Sequence, residues 1–548
     1  MQRRLTLIVT TLLAVLLTVA HAQDNSDKSD KTQTKLKPGE SRFFKPGSVE
    51  STGSVSVEGK RVDYDAVAGT LVVHPKGWDD AAQPQPPEKS SKEGAEGEHN
   101  PGAEASVFYA AYFKRGADAS KRPLTFLFNG GPGSSTVWLH MGAFGPRRVI
   151  TADDTHTPAA PYKLVNNDYS LLDASDLVFV DAPGTGFSRI EGKDKEKSFY
   201  GVDQDAHAFA EFITQFLSKY HRWNSPKYLF GESYGTPRAA VLVNMLETDY
   251  DTDFNGIVLL SQILNYDLDV DGPERNPGIE LPYELALPTY AATAWYHHKL
   301  PGPNPPTDLS ALLKEVEDYA MTEYAHALAM GSELSDAQRN TVAQKLHDYT
   351  GLPVSYILKA NLRINGGEFE KNLQDNSDTT TGRLDTRFSG PTLDPLSKEA
   401  EYDPQSAAIS SAYVSALNDY VRTTLKYGEG KTYRPEISPK NWDFKHRQPG
   451  EDRPSSRIVN TMPDLAMAMK YNPALKILLT GGYFDLATPF YAGLYEMHHL
   501  PIPQKLQSNI QYHYYQSGHM VYAHQASLKS LHDDVAAFIG STDNLGGK

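Results

Sequence analysis

Lys227 to Val241 reads KYLFGESYGTPRAAV and contains Gly231-Glu232-Ser233-Tyr234-Gly235, a serine set between two glycines. A serine hydroxyl is a poor nucleophile until a base removes its proton. The string alone decides nothing, because glycine is common enough for Gly-x-Ser-x-Gly to arise by chance. Its surroundings carry more weight. Ser233 follows the apolar run YLF (228–230) and precedes the helical stretch TPRAAVLVNMLE. That is the strand–turn–helix context in which a serine stands out on a sharp elbow. In so tight a turn, side chains at Gly231 and Gly235 would collide with neighbouring backbone, and the positive end of the helix lies close to the hydroxyl.

Sites of this kind place their parts in the chain order serine, acid, histidine. Downstream, ILLTGGYFDLATP puts Asp485 just past one apolar run, and IQYHYYQSGHMVY puts His519 just past another. Both fall in predicted loops at strand ends, so His519 would accept the Ser233 proton while Asp485 orients its ring. The pairs His297-His298 and His498-His499 have no carboxylate-rich or H-E-x-x-H pattern around them and read as surface or packing residues; no metal and no cofactor is expected. The stretch FLFNGGPGSSTVWLHMGAFGP (126–146) lacks the ending of a P-loop and the spacing of a dinucleotide site. What Asn129-Gly130-Gly131 offers instead is bare backbone N–H groups near an elbow serine, the requirement for an oxyanion hole. DAPGTGFSR (181–189) fails the dinucleotide pattern too.

The elements that must position these residues are short apolar runs alternating with helical periodicity. LTFLF (124–128), LVFV (177–180), YLF (228–230), IVLLS (257–261) and ILLT (477–480) suit strands buried on both faces of a parallel sheet. Between them, apolar residues repeat at helical spacing from Val202 to Tyr220, and again from Leu528 to Phe538 before a Gly540 stop. SVSVEGKRVDYDAVAGTLVVHP and ASVFYAAYFKRG alternate as antiparallel strands. The predicted fold class is α/β, a mostly parallel, doubly wound sheet. From 268 to 452 the rhythm breaks, with helices predicted over 308–330, 335–349 and 407–426. Because the sheet pattern resumes at Leu475, this section reads as a helical cap inserted into one core, whose parts are 46–267 and 453–548. Within the first part, 77–106 is rich in Pro, Glu, Gly and Ser and reads as a mobile loop.

Composition bounds the partners. The net charge of −15 and the lack of a long Lys/Arg block argue against nucleic acid or an anionic membrane. Arg3 and Arg4, the uncharged stretch Leu5 to Ala20, and Ala20-His21-Ala22 form a secretory signal peptide with cleavage predicted after Ala22. Its sixteen uncharged residues are short of the roughly 20 that span a bilayer, so no stable membrane insertion is expected after cleavage. Residues 23–45 are polar and read as a flexible lead-in. The absence of cysteine excludes disulfides and lipoprotein anchoring, and fits an exported bacterial protein, periplasmic or secreted.

Taken in order, NGGPGSS, VDAPGTGFS, GESYG, GGYFDLATP and SGHMVY resemble the serine carboxypeptidase family of α/β-hydrolases, and more narrowly its cysteine-free exported bacterial members. The blocks cover about 120–262 and 470–540. The resemblance implies Ser233 as nucleophile, His519 as base and then acid, Asp485 as its partner, and the N–H groups of Gly131 and Tyr234 as oxyanion hole. It further implies peptide substrates, whose C-terminal carboxylate is held by Asn129, Gly130 and Glu232. Glu232 would have to carry a proton there, which burial and a nearby negative charge favour. The chain departs from the family where a second glutamate stands: here it is Ala143, with Leu127, Ser134 and Tyr483 at three further positions. Because that departure falls on the carboxylate clamp, an esterase or acyltransferase with the same triad stays open beside the carboxypeptidase. A non-catalytic binding protein would be expected to have lost a triad member, and all three are present.

Overall fold

The computed structural model describes residues 41–81, 100–455 and 458–546. The signal segment 1–22, most of the lead-in and residues 82–99 of the predicted loop lie outside the described residues. Ten strands form one sheet: β1 (Gly47–Val57), β2 (Lys60–Val73), β3 (Ala103–Lys114), β4 (Leu124–Phe128), β5 (Asp176–Val180), β6 (Arg189–Gly192), β7 (Lys227–Glu232), β8 (Gly256–Leu260), β9 (Lys476–Gly482) and β10 (Ile510–Tyr515). The helices that matter for the site are α1 (Val202–Lys219), α2 (Gly235–Asp249), α3 (Leu281–Tyr296), α4 (Leu309–Tyr319), α5 (Asp336–Thr350), α6 (Pro404–Thr423), α7 (Met462–Tyr471), α8 (Phe490–His498) and α9 (Gln525–Thr542).

The strand order is β1-β2-β3-β5-β4-β7-β8-β9-β10, with β6 added to β3. The first three strands are antiparallel, and Glu58-Gly59, both at positive φ, turns β1 tightly into β2. From β5 to β10 every neighbouring pair is parallel. Residues within these strands alternate between two cores. Leu229, Ile257, Leu259, Ile477 and Leu479 pack with Phe209, Phe212 and Phe216 of α1, Leu242 and Leu246 of α2, and Leu465 and Met469 of α7. Phe230, Val258, Leu260 and Leu478 pack on the opposite face with Leu528, Leu531, Val535 and Phe538 of α9. Burial on both faces is why the strands read as unbroken apolar runs, and each such side chain contributes roughly 1.5–3 kcal/mol on leaving water. A mostly parallel sheet wound on both faces, with a serine elbow after a central strand, is the α/β-hydrolase architecture.

Between β8 and β9 the chain forms α3 to α6 and a ribbon pairing Thr379–Thr381 with Ser389–Pro391. Helices α3 to α5 share a core of their own, including Tyr283, Leu287, Tyr290, Val316, Leu346 and Phe369, which Leu486 from the loop after β9 joins, whereas Ile409, Tyr413, Leu417 and Tyr420 of α6 pack into the core on the α9 face of the sheet. The sequence reading has no helix over 281–296. Helix α3 is buried from Pro282 to Ala294 and carries Pro288 inside, so it shows neither a polar stripe nor a favourable interior composition. Asp403, whose side chain accepts the Ser406 N–H, caps α6, and Pro404 opens it. Two boundaries differ from expectation. Residues 103–106, predicted as loop, begin β3, and α9 runs through Gly540 to Thr542. Among the described residues no helix is long and apolar enough to cross a membrane.

Candidate active site

β7 ends at Glu232 and α2 begins at Gly235, so Ser233 and Tyr234 alone make the turn. Ser233 sits at φ +60°, a left-handed conformation that strains any residue but glycine. A Cβ on Gly231 would lie 2.1 Å from the Gly235 carbonyl oxygen, so the elbow closes only with glycine there. Arg238 ties the helix to the loop after β4: it donates to the Asn129 carbonyl oxygen at 2.7 Å and pairs with Asp205 at 2.6 Å, fully buried. That loop rests on the elbow itself. A Cβ on Gly130 would stand 2.3 Å from the Tyr234 nitrogen. The N–H groups of Gly131 and Tyr234 donate to no other group among the described residues. Free N–H groups in that position can receive a developing oxyanion.

Asp485 follows β9 by three residues and His519 follows β10 by four. Asp485 Oδ2 lies 2.8 Å from His519 Nδ1. Thr488 fixes the aspartate, its N–H on Oδ1 at 3.0 Å and its hydroxyl on Oδ2 at 2.8 Å. Burial works to discharge the His519 ring, but the Asp485 carboxylate, its hydrogen bond and the nearby Glu232 outweigh it and hold the pKa above the ordinary histidine value. Ser233 and His519 converge on the end of β8. The Ser233 N–H donates to the Leu260 carbonyl oxygen at 3.0 Å, and the Ser261 hydroxyl donates to the His519 carbonyl oxygen at 2.7 Å. The Ser233 hydroxyl and His519 Nε2 make no hydrogen bond among the described residues. In unliganded sites of this type that contact is often open and tightens with substrate.

Glu232 is 2% exposed. Its Oε2 accepts from Asn129 Nδ2 at 2.8 Å and from the Tyr522 hydroxyl at 2.8 Å. Burial pushes its pKa up to about 7, against the pull of His519, Tyr522 and Asn129, while Asp485 adds to the rise. The same Tyr522 hydroxyl also lies 3.1 Å from Oε1. Glu232 is thereby a buried acid that can turn donor near neutral pH, one residue from the raised hydroxyl. Ala143 lies fully buried in the π-helical turn Leu139–Phe144 and offers Glu232 no second acid. Beside it, a Cβ on Gly142 would meet Tyr413 at 2.6 Å and Tyr522 at 2.7 Å, so two tyrosines close this side of the site.

Several supporting residues escape the sequence reading. Asp385 and Arg387, from the segment between β8 and β9, form a buried bidentate pair at 2.6 and 3.0 Å. Asp385 also accepts the Gly518 N–H at 3.2 Å, and the neighbouring Leu384 carbonyl oxygen accepts the His519 N–H at 2.6 Å. No local signal marks these residues, or Tyr413. Tyr522 does carry one, standing three residues after His519 in the SGHMVY block. A cavity of about 1090 Å³ lies elsewhere, against α1, α2 and α7. Its lining includes His446, held by Asp203 at 2.5 Å and Asp464 at 2.8 Å. Both of its ring nitrogens are taken up by those carboxylates.

Residues 96–273 match the family model described as serine carboxypeptidase. The pheromone-processing carboxypeptidase KEX1 of Phytophthora infestans is 32% identical over 136 residues, covering 22% of this chain and 20% of that protein. The protein of the same name from Cryptococcus gattii is 30% identical over 203 residues, covering 36% and 27%. The chain thus spans about a fifth to a quarter of the length of these relatives. Among solved structures, the proline iminopeptidase of Mycobacterium smegmatis aligns over 80% of this chain and 96% of its own, at 12% identity and a TM-score of 0.34.

Proposed function

We propose, from the match of residues 96–273 to the serine carboxypeptidase family model, that the chain is an exported serine carboxypeptidase releasing the C-terminal residue of peptides through an acyl-serine intermediate. The observation that carries the reading is Glu232, a buried acid with a pKa of about 7, next in the chain to the elbow serine. The terminal carboxylate of a peptide is received by protonated Glu232, by Asn129 and by the Gly130 N–H. Ser233 Oγ attacks the preceding carbonyl carbon while His519 Nε2 takes its proton. Asp485 holds the ring through Nδ1 and stabilises the imidazolium. The oxyanion rests on the N–H groups of Gly131 and Tyr234. His519 then gives the proton to the departing amine, and a water activated by the same ring releases the acyl group.

A second reading is favoured by Ala143, which leaves Glu232 with a phenol rather than an acid as its partner: an esterase or acyltransferase with the same triad. The test is hydrolysis of an N-blocked dipeptide with a free C-terminus, beside its amide and its ester, by the native protein and by Ser233→Ala. Cleavage of the free acid, lost in the variant, supports the carboxypeptidase. Cleavage of the ester alone moves the function to the second reading. Export rests on residues 1–22, and a mature N-terminus at Gln23 in protein recovered outside the cytoplasm is the expected result.

A further inference from the structure

Residues 433–443 run as a strap across the loop after β4, from the loop after β5 to the start of α1. Both ends are fixed to backbone outside the elbow. Arg434 and Gly186 exchange two hydrogen bonds, at 3.0 and 2.6 Å. Asp443 donates its N–H to the Tyr200 carbonyl oxygen at 3.1 Å and accepts the Val202 N–H at 3.0 Å. Between these anchors the strap touches each half of the oxyanion hole.

The first contact is with the loop that carries Gly131. That loop makes a turn closed by the Ser134 N–H on the Gly130 carbonyl oxygen at 3.0 Å. Ile437 donates its N–H to the Gly133 carbonyl oxygen, and the Ser135 N–H donates to the Pro435 carbonyl oxygen, both at 2.8 Å. The Tyr433 hydroxyl adds a bond to Ser135 Oγ at 2.9 Å. A Cβ on Gly133 would stand 2.5 Å from the Ile437 carbonyl oxygen, so here the two backbones meet with no side chain between them. The second contact is with Tyr234, which is buried. The Trp442 ring stands edge-on to the Tyr234 ring, centroids 5.3 Å apart at 88°, and in turn stacks on Tyr200 at 6.0 Å and 21°. Edge-to-face rings have a preferred geometry, so Trp442 limits where the Tyr234 ring, and with it the residue's N–H, can lie.

The two oxyanion donors come from separate stretches of chain, one after β4 and one after β7, and they work as a pair only when both point at one oxygen. We propose that residues 433–443 set the spacing of the Gly131 and Tyr234 N–H groups, with Ile437 and Trp442 as positioning residues, one for each donor. The close approach of Gly130 to the Tyr234 nitrogen fits the two halves to each other, and the strap ties both to the surrounding scaffold. His446 lies beyond the Asp443 anchor and outside this device. The proposal rests on the acyl-serine reading above and adds parts that the triad and Glu232 do not contain.

The experiment measures kcat and KM for an N-blocked amino-acid ester, and Ki for the boronic acid analogue of the same N-blocked residue. The boron accepts an electron pair from Ser233 Oγ, whose proton passes to His519, and the tetrahedral adduct places one oxygen in the oxyanion hole. Ki therefore reports the hole and, unlike kcat, does not depend on how much of a preparation is folded. The native chain is set beside Ile437→Pro, which lacks the N–H, Trp442→Ala, Trp442→Phe, and Lys440→Ala at an exposed position between the two contacts. In Ile437→Pro and Trp442→Ala, kcat should fall about tenfold or more, short of the roughly 10²–10³-fold lost with a whole donor, with KM unchanged. Ki should rise by the same factor. Trp442→Phe should recover most of the loss, and Lys440→Ala should match the native chain. An unchanged Ki in either Ile437→Pro or Trp442→Ala overturns the proposal, whatever happens to kcat, because that residue would then serve packing alone. So does a loss that appears in KM and not in kcat. If the native chain neither cleaves the ester nor binds the boronic acid, the acyl-serine reading fails and the strap with it.

Discussion

His519 and His446 are both buried histidines set against aspartates, at two distant places in the molecule. His446 has both ring nitrogens occupied, Nδ1 by Asp203 at 2.5 Å and Nε2 by Asp464 at 2.8 Å. Burial opposes its charge, yet the two carboxylates raise its pKa to about 9. His519 has one carboxylate, Asp485 on Nδ1, while its Nε2 bonds nothing among the described residues. The first arrangement saturates the ring and fixes a proton in place as a structural cation. The second polarises the ring and leaves one nitrogen free to collect and return a proton. Aspartate beside histidine is thus no mark of proton transfer in itself; an open second nitrogen facing an activatable group is.

The comparison breaks most visibly by removing each ring. Replacing His519 by Ala should lower kcat on an ester substrate by about 10⁴-fold or more, as loss of a triad base does. Replacing His446 by Gln should leave kcat unchanged in the same assay. Next in size is stability. Asp385→Asn removes the charge that matches buried Arg387 and should cost about 3–5 kcal/mol in denaturant unfolding, with a fall in kcat because Gly518 and His519 lose their seat. His446→Gln should cost about 2–3 kcal/mol. Its native pKa is raised, so the stabilisation is fully present below about pH 6.5 and is lost as pH climbs through about 9. The difference between the variant and the native protein should therefore shrink at alkaline pH.

The smallest effect is the most diagnostic. Glu232 receives a carboxylate only when protonated, so KM for free-acid peptides should rise as pH passes through about 7, while KM for the matching ester should not. The Tyr522 hydroxyl favours ionised Glu232, so Tyr522→Phe should move that rise upward by about one pH unit, the effect of an ordinary charge-assisted hydrogen bond. Equal changes for acid and ester would assign Tyr522 to packing instead.

Parts of this molecule were legible because backbone contact restricts residue choice. Gly231 must be glycine because of the Gly235 carbonyl oxygen, and Gly130 because of the Tyr234 nitrogen, so the elbow and the loop beside it appear as short strings. The parallel strands were legible because both faces of each are buried. By contrast, α3 is apolar all round with a proline inside, and periodicity does not find it. Asp385 and Arg387 lie 98 or more residues in sequence from every member of the triad, and Tyr413 lies 72 residues from Asp485. Their partners are set by how the chain between β8 and β9 folds back.

The stretch 383–386 has a mechanical consequence. Its backbone receives the Leu486 and His519 N–H groups, its Thr386 N–H is donated to the Phe484 carbonyl oxygen, and Asp385 holds the Gly518 N–H. The helical segment is therefore fastened to both loops that carry the acid and the base. Swinging it aside to admit a bulky substrate would unseat Asp485 and His519 in the same movement. Opening and disarming are one event here, so a gaping conformer would be a safe one, and whatever is cleaved must be slender enough to thread into the closed form.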